Sequence, residues 1–403
     1  MTGAPCASGI SLQEAQAILS DRAEPLAGET VPLADAGFRV LAEPVIARID
    51  SPRGDVAAMD GFAVHDGAVQ AGRRAFDVVG VTYAGGPPHQ AIGPEAAVRI
   101  MTGALLPQDA DRVIPFELTD ERDGIMRITG PVPDVTHVRA QGSDFRAGQV
   151  LLDAGLRLDP GRLLVAAGSD QPSLCVHRRP RLRVITSGDE LVPSGEAASN
   201  NTRIPDSLTG PVMLLGQAWG AIAVGAAPVA DDIKAIGKIA ELARIDSDVL
   251  VLAGGASHGD RDLARPALEA LGLELIFSGV GLKPGRPAWY GRLGKTHVLG
   301  LPGNPSAAMI VARLFLAPLL CALEGRGFAA ALGWRTEPLA APVAAAGALE
   351  ALLYARRQGD RVDVIARQSA SAQLPLAGAD MLVRRPAGAP ALPAGAMVPV
   401  LEF

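Results

Sequence analysis

Cysteine is almost missing from this chain: there are three in 403 residues, Cys6, Cys175 and Cys321, widely spaced and odd in number. They make neither a disulfide framework nor a zinc-ligand pattern, and a reducing cytoplasm is the expected setting. Long apolar runs are lacking too. A membrane span needs roughly 20 apolar residues, and the best stretch, residues 307–323, is interrupted by Arg313 and Pro318. The opening MTGAPCASGISLQEAQ has no basic flank before an apolar stretch, so no secretory signal is expected. Positive charge is also short. A net charge of −6 argues against a nucleic-acid surface, although loops or a metal can still seat an anionic small ligand. No internal repeat and no Walker A ending occur.

What is present is a globular, turn-rich composition, 48% hydrophobic with 46 glycines and 32 prolines. The length suggests two to four domains. SLQEAQAILS reads as a helix capped by Ser11, with Glu14 completing a capping box. Residues 48–144 carry short apolar runs broken by Gly and Pro and are expected to form a β-rich module. A helical pattern returns over about 153–168. From 179 to 328, RLRVIT, AIAVG, DVLVLA and THVLGLP alternate with helical patterns, which predicts an open parallel α/β sheet covered on both faces. Residues 329–403 read as a small β-domain. The fold class is therefore α/β and β multidomain, with a central parallel-sheet domain flanked by β-rich ones.

Three of the predicted strands run into loops of one chemical kind. RLRVIT leads into SGDEL, with Ser187, Gly188, Asp189 and Glu190. DVLVLA leads into GGASHGDRD, with Gly254, Gly255, Ser257, His258, Asp260 and Asp262. THVLGL leads into PGNPSAA, with Pro302, Gly303, Asn304 and Pro305. In parallel α/β sheets ligands bind beyond the carboxyl ends of the strands. Glycines there let a ligand approach the backbone, and the helix starting near Ser306 favours an anion. Carboxylates beside an anion seat make sense when a divalent cation joins them, as Mg²⁺ does with one or two carboxylates and substrate phosphates. Turn chemistry alone also favours these residue types. Further groups of the same ambiguous kind are Asp55 and Asp60 in SPRGDVAAMDGFAV, Thr102 and Gly103 in RIMTGALLP, Arg139, Ser143 and Asp144 in RAQGSDF, and Lys283 and Arg286 in LKPGRP.

Taken together these segments resemble the molybdopterin molybdenumtransferase family, which includes the related domain of gephyrin. SPRGDVAAMDGFAV, RIMTGALLPQDADRVIPFE, TSGDEL, AGGASHGD, KPGRP and GLPGNP follow the family's motifs in order, while the C-terminal part matches loosely through SASAQLPLAGADML. The resemblance implies insertion of molybdenum from molybdate into adenylylated molybdopterin, with release of AMP and a requirement for Mg²⁺ or another divalent cation. It implies four domains: an elongated α+β domain of residues 1–47 and 145–178, the inserted module 48–144, the molybdopterin-binding domain 179–328 and the β-domain 329–403. These would form a homodimer with its cleft between the sheet domain of one subunit and the β-module of the other. Asp60, Asp189, Glu190 and Asp260 would be catalytic, and Glu190, Asp260 and Asp262 would hold the metal. Thr102, Arg139, Asp144, Ser187, Gly188, Gly254, Gly255, Ser257, Lys283, Arg286, Pro302, Gly303, Asn304 and Pro305 would bind substrate. Contact with the molybdopterin adenylyltransferase and with acceptor molybdoenzymes is implied, and no nucleic-acid or membrane partner. The sequence departs from the family at Val56, Ala57, Leu208 and His258, and Arg286 stands where lysine is usual. A diverged paralogue that binds the pterin without inserting metal, or a scaffold in the manner of gephyrin, are the alternative readings.

Overall fold

The computed structural model describes residues 7–226, 228–254 and 263–403. They form two compact units, one comprising the described residues up to Glu29 with Val176–Phe403, the other Thr30–Cys175.

The smaller unit is built on a six-stranded sheet. Its order is Arg112–Pro115, Gly61–Val64, Ala96–Ile100, Ala75–Thr82, Ile125–Ile128 and Thr119–Arg122. Only the Ala75–Thr82 and Ala96–Ile100 strands run parallel. Side chains alternate across a strand, so Phe62 and Val64 pack with Phe76 and Ile114 on one face, while Ala63 packs with Val98 and Val113 on the other. Both faces are covered, which is why all four residues of Gly61–Val64 are buried. The helical pattern expected from about residue 153 becomes a helix only at Pro160–Gly168. Asp159 caps it through the Arg162 amide at 2.9 Å, and Pro160 occupies the first turn, where a missing N–H costs nothing.

The larger unit contains a seven-stranded sheet in the order Ala7–Ile10, Glu274–Val280, Trp289–Leu293, Thr296–Leu301, Val249–Ala253, Arg181–Thr186, Ile222–Gly225. The last four are mutually parallel and are the four strands expected from sequence. The sheet as a whole is mixed, because Trp289–Leu293 runs antiparallel to both of its neighbours. Chain length explains this. Only Gly294 and Lys295 separate Trp289–Leu293 from Thr296–Leu301, which permits a hairpin, whereas a parallel crossover needs a dozen residues or more. Alternate residues of Val249–Ala253 feed opposite cores. Val249 and Val251 pack with Val212 and Leu299, and Leu250 and Leu252 pack with Ile236 and Leu268 of the helices Ile233–Asp246 and Ala264–Glu269.

The expected N-terminal helix is Leu12–Arg22. The Ser11 hydroxyl accepts from the Glu14 amide at 3.1 Å, and the Glu14 carboxylate accepts from the Ser11 amide at 2.8 Å. The helical pattern expected after Thr296–Leu301 is the helix Pro305–Leu323, and Arg313 and Pro318, which break its apolar run, both lie within it. It is long and apolar enough to cross a bilayer, yet 94% of its hydrophobic window is buried inside the protein, as for a core helix. Proline removes an intrahelical hydrogen bond, and the helix accommodates Pro318 by widening over Ala312–Leu316. Arg313 donates to the carbonyls of Ala331 and Glu402, both at 2.9 Å, and burial pushes its pKa down to about 10.

Beyond this helix lies a second six-stranded sheet. Leu282–Lys283, Glu350–Gln358, Met381–Arg385, Met397–Glu402 and Arg335–Pro338 follow in order, and Arg361–Val364 pairs with Glu350–Gln358. Val362, Val383, Val398 and Val400 form its core.

Candidate active site

The carboxyl ends of the parallel strands open into a cleft of about 720 Å³. Ser187, Gly188, Glu190, Gly254, Pro302, Gly303, Asn304 and Pro305 line it, so the loops after Arg181–Thr186, Val249–Ala253 and Thr296–Leu301 converge as the strand order predicts. The two central glycines differ in kind. Gly254 has φ +96°, and a Cβ there would collide with the Ser187 carbonyl oxygen, so the fold itself requires glycine. Among the described residues a Cβ at Gly303 would meet only the Gly254 Cα, at 3.7 Å. Their packing does not demand glycine at 303; its bare backbone leaves room in the cleft.

Asp206 organises one wall. Its carboxylate accepts from the Leu208 and Thr209 amides at 3.0 and 3.2 Å and from the Thr186 hydroxyl at 3.1 Å, which ties the strand end to the start of the Thr209–Ala218 helix. Leu208, a departure from the family pattern, lines the cleft while its side chain joins the main hydrophobic core. The opposite wall comes from the C-terminal sheet region. Ser371 and Gln373 line the cleft, Gln373 donates to the Ser207 hydroxyl at 3.0 Å, and Ser306 donates to the Ala372 carbonyl at 2.5 Å. The weakly matching SASAQ segment thus closes the site.

Asp231 is the carboxylate that sequence reasoning missed. It lines the cleft, and its amide donates to Asp189 Oδ1 at 3.1 Å. Burial raises the Asp231 pKa, and the charges of Asp189 and Glu190 push it the same way against hydrogen bonds from Asp189 and Ser187. A signal for it existed. The pair Asp231–Asp232 heads a helix, Asp232 is the cap through the Ala235 amide at 2.8 Å, and Asp231 is left over. Among the described residues no three His, Cys, Asp or Glu side chains come close enough to hold a metal ion by themselves. Asp189 uses its carboxylate on Asp231 and its carbonyl on Arg203. Lys283 and Arg286 are exposed, and neither lines the cleft; Pro287 of the same loop does. Gly255, Ser257, His258, Asp260 and Asp262 lie outside the described residues.

In the smaller unit the remaining motif segments zip together. Val56–Ala57 pairs with Val138–Arg139, the Ala57 carbonyl accepts from the Gly103 amide at 2.8 Å, and the Ala57 amide donates to Ala104 at 3.0 Å. Val56 and Ala57, two further departures, are buried in this junction and do not face solvent. Asp60 Oδ1 accepts from both the amide and the hydroxyl of Thr102, each at 2.7 Å. The Thr102 amide, then its hydroxyl, lowers the Asp60 pKa. Gln141 donates its amide to Asp55 at 2.8 Å and its side chain to Asp50 at 2.7 Å, which fixes the turn after Arg139. Arg139 and Asp144 are exposed on either side of that turn.

Comparison with known proteins gives the same family as the sequence motifs. Residues 10–169 match the family described as MoeA N-terminal region (domain I and II), and residues 183–322 match that described as probable molybdopterin binding domain. A molybdopterin molybdenumtransferase of Synechococcus elongatus is 34% identical over 74% of this chain and 76% of its own. One from Synechocystis is 33% identical over 70% and 74%. The crystal structure of the molybdopterin biosynthesis MoeA protein of Pyrococcus horikosii superposes with a TM-score of 0.84 at 28% identity, covering 98% of this chain and 99% of that one. The chain belongs to the molybdopterin molybdenumtransferase family.

Proposed function

We propose that this family member inserts molybdenum from molybdate into adenylylated molybdopterin and releases AMP. The observation that carries this reading is the convergence of the Ser187, Gly254 and Gly303 loops on one cleft at the carboxyl ends of parallel strands. The Ser306 end of a long helix favours the pterin phosphate there, and Gly303 admits it. Lys283 and Arg286, both exposed, would supply cations for phosphate or molybdate.

A divalent cation such as Mg²⁺ fits the donor set. Burial and two neighbouring carboxylates raise the Asp231 pKa, a crowding of negative charge that a cation relieves. Glu190 would be its ligand, with Asp260 and Asp262 as further ligands and phosphate oxygens completing the set. When bound, it would polarise the phosphoanhydride for cleavage. Asp189 fixes the backbone of the Asp231 loop, and Asp206 fixes the strand end that carries Ser187.

Asp60, preset by Thr102, with Arg139 and Asp144, would complete the site from the second subunit of a homodimer. The four-domain division fits the separate sheets, although the place of Ala7–Ile10 in the seven-stranded sheet speaks for joining the first 29 residues to the sheet domain. The cytoplasm is the compartment proposed, and a molybdopterin adenylyltransferase and acceptor molybdoenzymes the partners.

The test is AMP release by the purified protein given adenylylated molybdopterin, molybdate and Mg²⁺. Molybdate-dependent release supports the proposal. Tight pterin binding with no release identifies a diverged paralogue.

A further inference from the structure

A second cavity, of about 690 Å³, shares no lining residue with the cleft. It lies between the Leu282–Lys283 strand, the loop 342–349 and the Glu350–Gln358 and Met381–Arg385 strands, and that size suits a small organic ligand. Its walls are aliphatic, with Val343, Leu349, Leu352 and Ile365 prominent. Gln368 is already committed, because its amide group bonds the backbone of Tyr354 and Ile365.

Arg385 is the anomaly. It lines the cavity, is only 2% exposed, donates Nη2 to the Pro390 carbonyl, and leaves Nε without a hydrogen-bond partner. Glu350, the one acidic residue of the facing strand, is paired with Arg384. A buried cation ordinarily has a counter-charge, and losing a partner inside the protein is costly. The other charged group at this cavity, Lys283, is cationic too. A buried guanidinium with an unused Nε–H at the wall of an aliphatic chamber matches a planar or tetrahedral anionic head carried on an apolar body.

We propose that this cavity binds a small amphiphile, with its apolar body among Val343, Leu349, Leu352 and Ile365 and its carboxylate or phosphate head on Arg385. Isothermal titration of the full chain with octanoate, octyl phosphate and octanol tests this. Either anion should bind at least about ten-fold more tightly than octanol, the scale of a charge-assisted hydrogen bond, and the tighter of the two identifies the head group. Arg385→Leu should bring the anions down to the octanol affinity and leave AMP release unchanged. Ala346→Phe, which keeps Arg385 but fills the chamber, should abolish binding of all three. AMP, a probe of the cleft, should not displace octanoate. No binding of either anion to the wild type, or equal octanoate affinity in a folded Arg385→Leu variant, overturns the proposal. Should Arg385→Leu fail to fold, octanoate binding retained by Ala346→Phe overturns it.

Discussion

Asp60 and Asp231 are the same residue type in candidate sites of the two units, and their surroundings drive them in opposite directions. Asp60 sits in the open and receives two donors from Thr102, which lower its pKa. Asp231 is partly buried beside Asp189 and Glu190, which with burial raise it. The first carboxylate is satisfied within its own unit, so its geometry is set before any ligand arrives. The second has its charged form disfavoured by burial and by its neighbours, which a cation would reverse. Preorganisation and unmet charge are two different ways for a chain to prepare a site.

The sharpest way to break this contrast is Asp60→Asn. Turnover should fall on the order of 100-fold, the scale of a group acting on the reaction, while the thermal midpoint stays within a degree or two. Unfolding instead would make Asp60 a structural turn residue. Glu190→Gln comes next. It should weaken the apparent Mg²⁺ affinity about 10-fold, as loss of a metal ligand or its support does, and an unchanged Mg²⁺ titration of AMP release would remove Glu190 from the metal site.

Asp231→Asn should do something less intuitive and stabilise the metal-free protein, by about 1–2 °C at pH 7. A carboxyl whose folded pKa is raised destabilises wherever it is ionised, so the gain should fade once the pH falls below about 4, where the unfolded aspartate is protonated as well. Mg²⁺ should then raise the midpoint of the wild type more than that of the variant. Thr102→Val is the mildest change. It removes one of two donors, so an NMR titration should move Asp60 back toward the ordinary aspartate value. Asp60 stabilises above its unfolded pKa and loses that contribution as pH falls through the lower folded one. The variant should therefore show a smaller acid-limb loss in the same range.

The contrast also follows what the sequence made legible. RLRVIT, DVLVLA and THVLGLP are short β-branched runs buried on both faces, and a parallel sheet locates its own ligand loops, so the cleft could be read from pattern. Trp289–Leu293 escaped because its pairing with Thr296–Leu301 is fixed by a two-residue turn and not by periodicity. Glu350–Gln358 escaped because its last third, Arg356, Arg357 and Gln358, is charged or polar and exposed. In the smaller unit, Asp60, Thr102 and Arg139 were legible only through motif resemblance. Their meeting depends on backbone pairing around Val56 and Ala57, which no local pattern encodes. Asp231 was hidden beside Asp232, the residue that caps the Ile233–Asp246 helix.

The cleft wall made by Ser371 and Gln373 has a consequence for synthesis. The parallel strands and their helices are complete by about residue 323, and domains fold largely as units while the chain is still being made. Ser306 and Ser207, however, wait for partners at Ala372 and Gln373. The buried Leu352, Tyr354, Leu382 and Leu401 belong to the same core as that sheet, and Arg313 donates to the Glu402 carbonyl, so a chain stopped near residue 330 would lack both the cleft wall and part of the sheet's own packing.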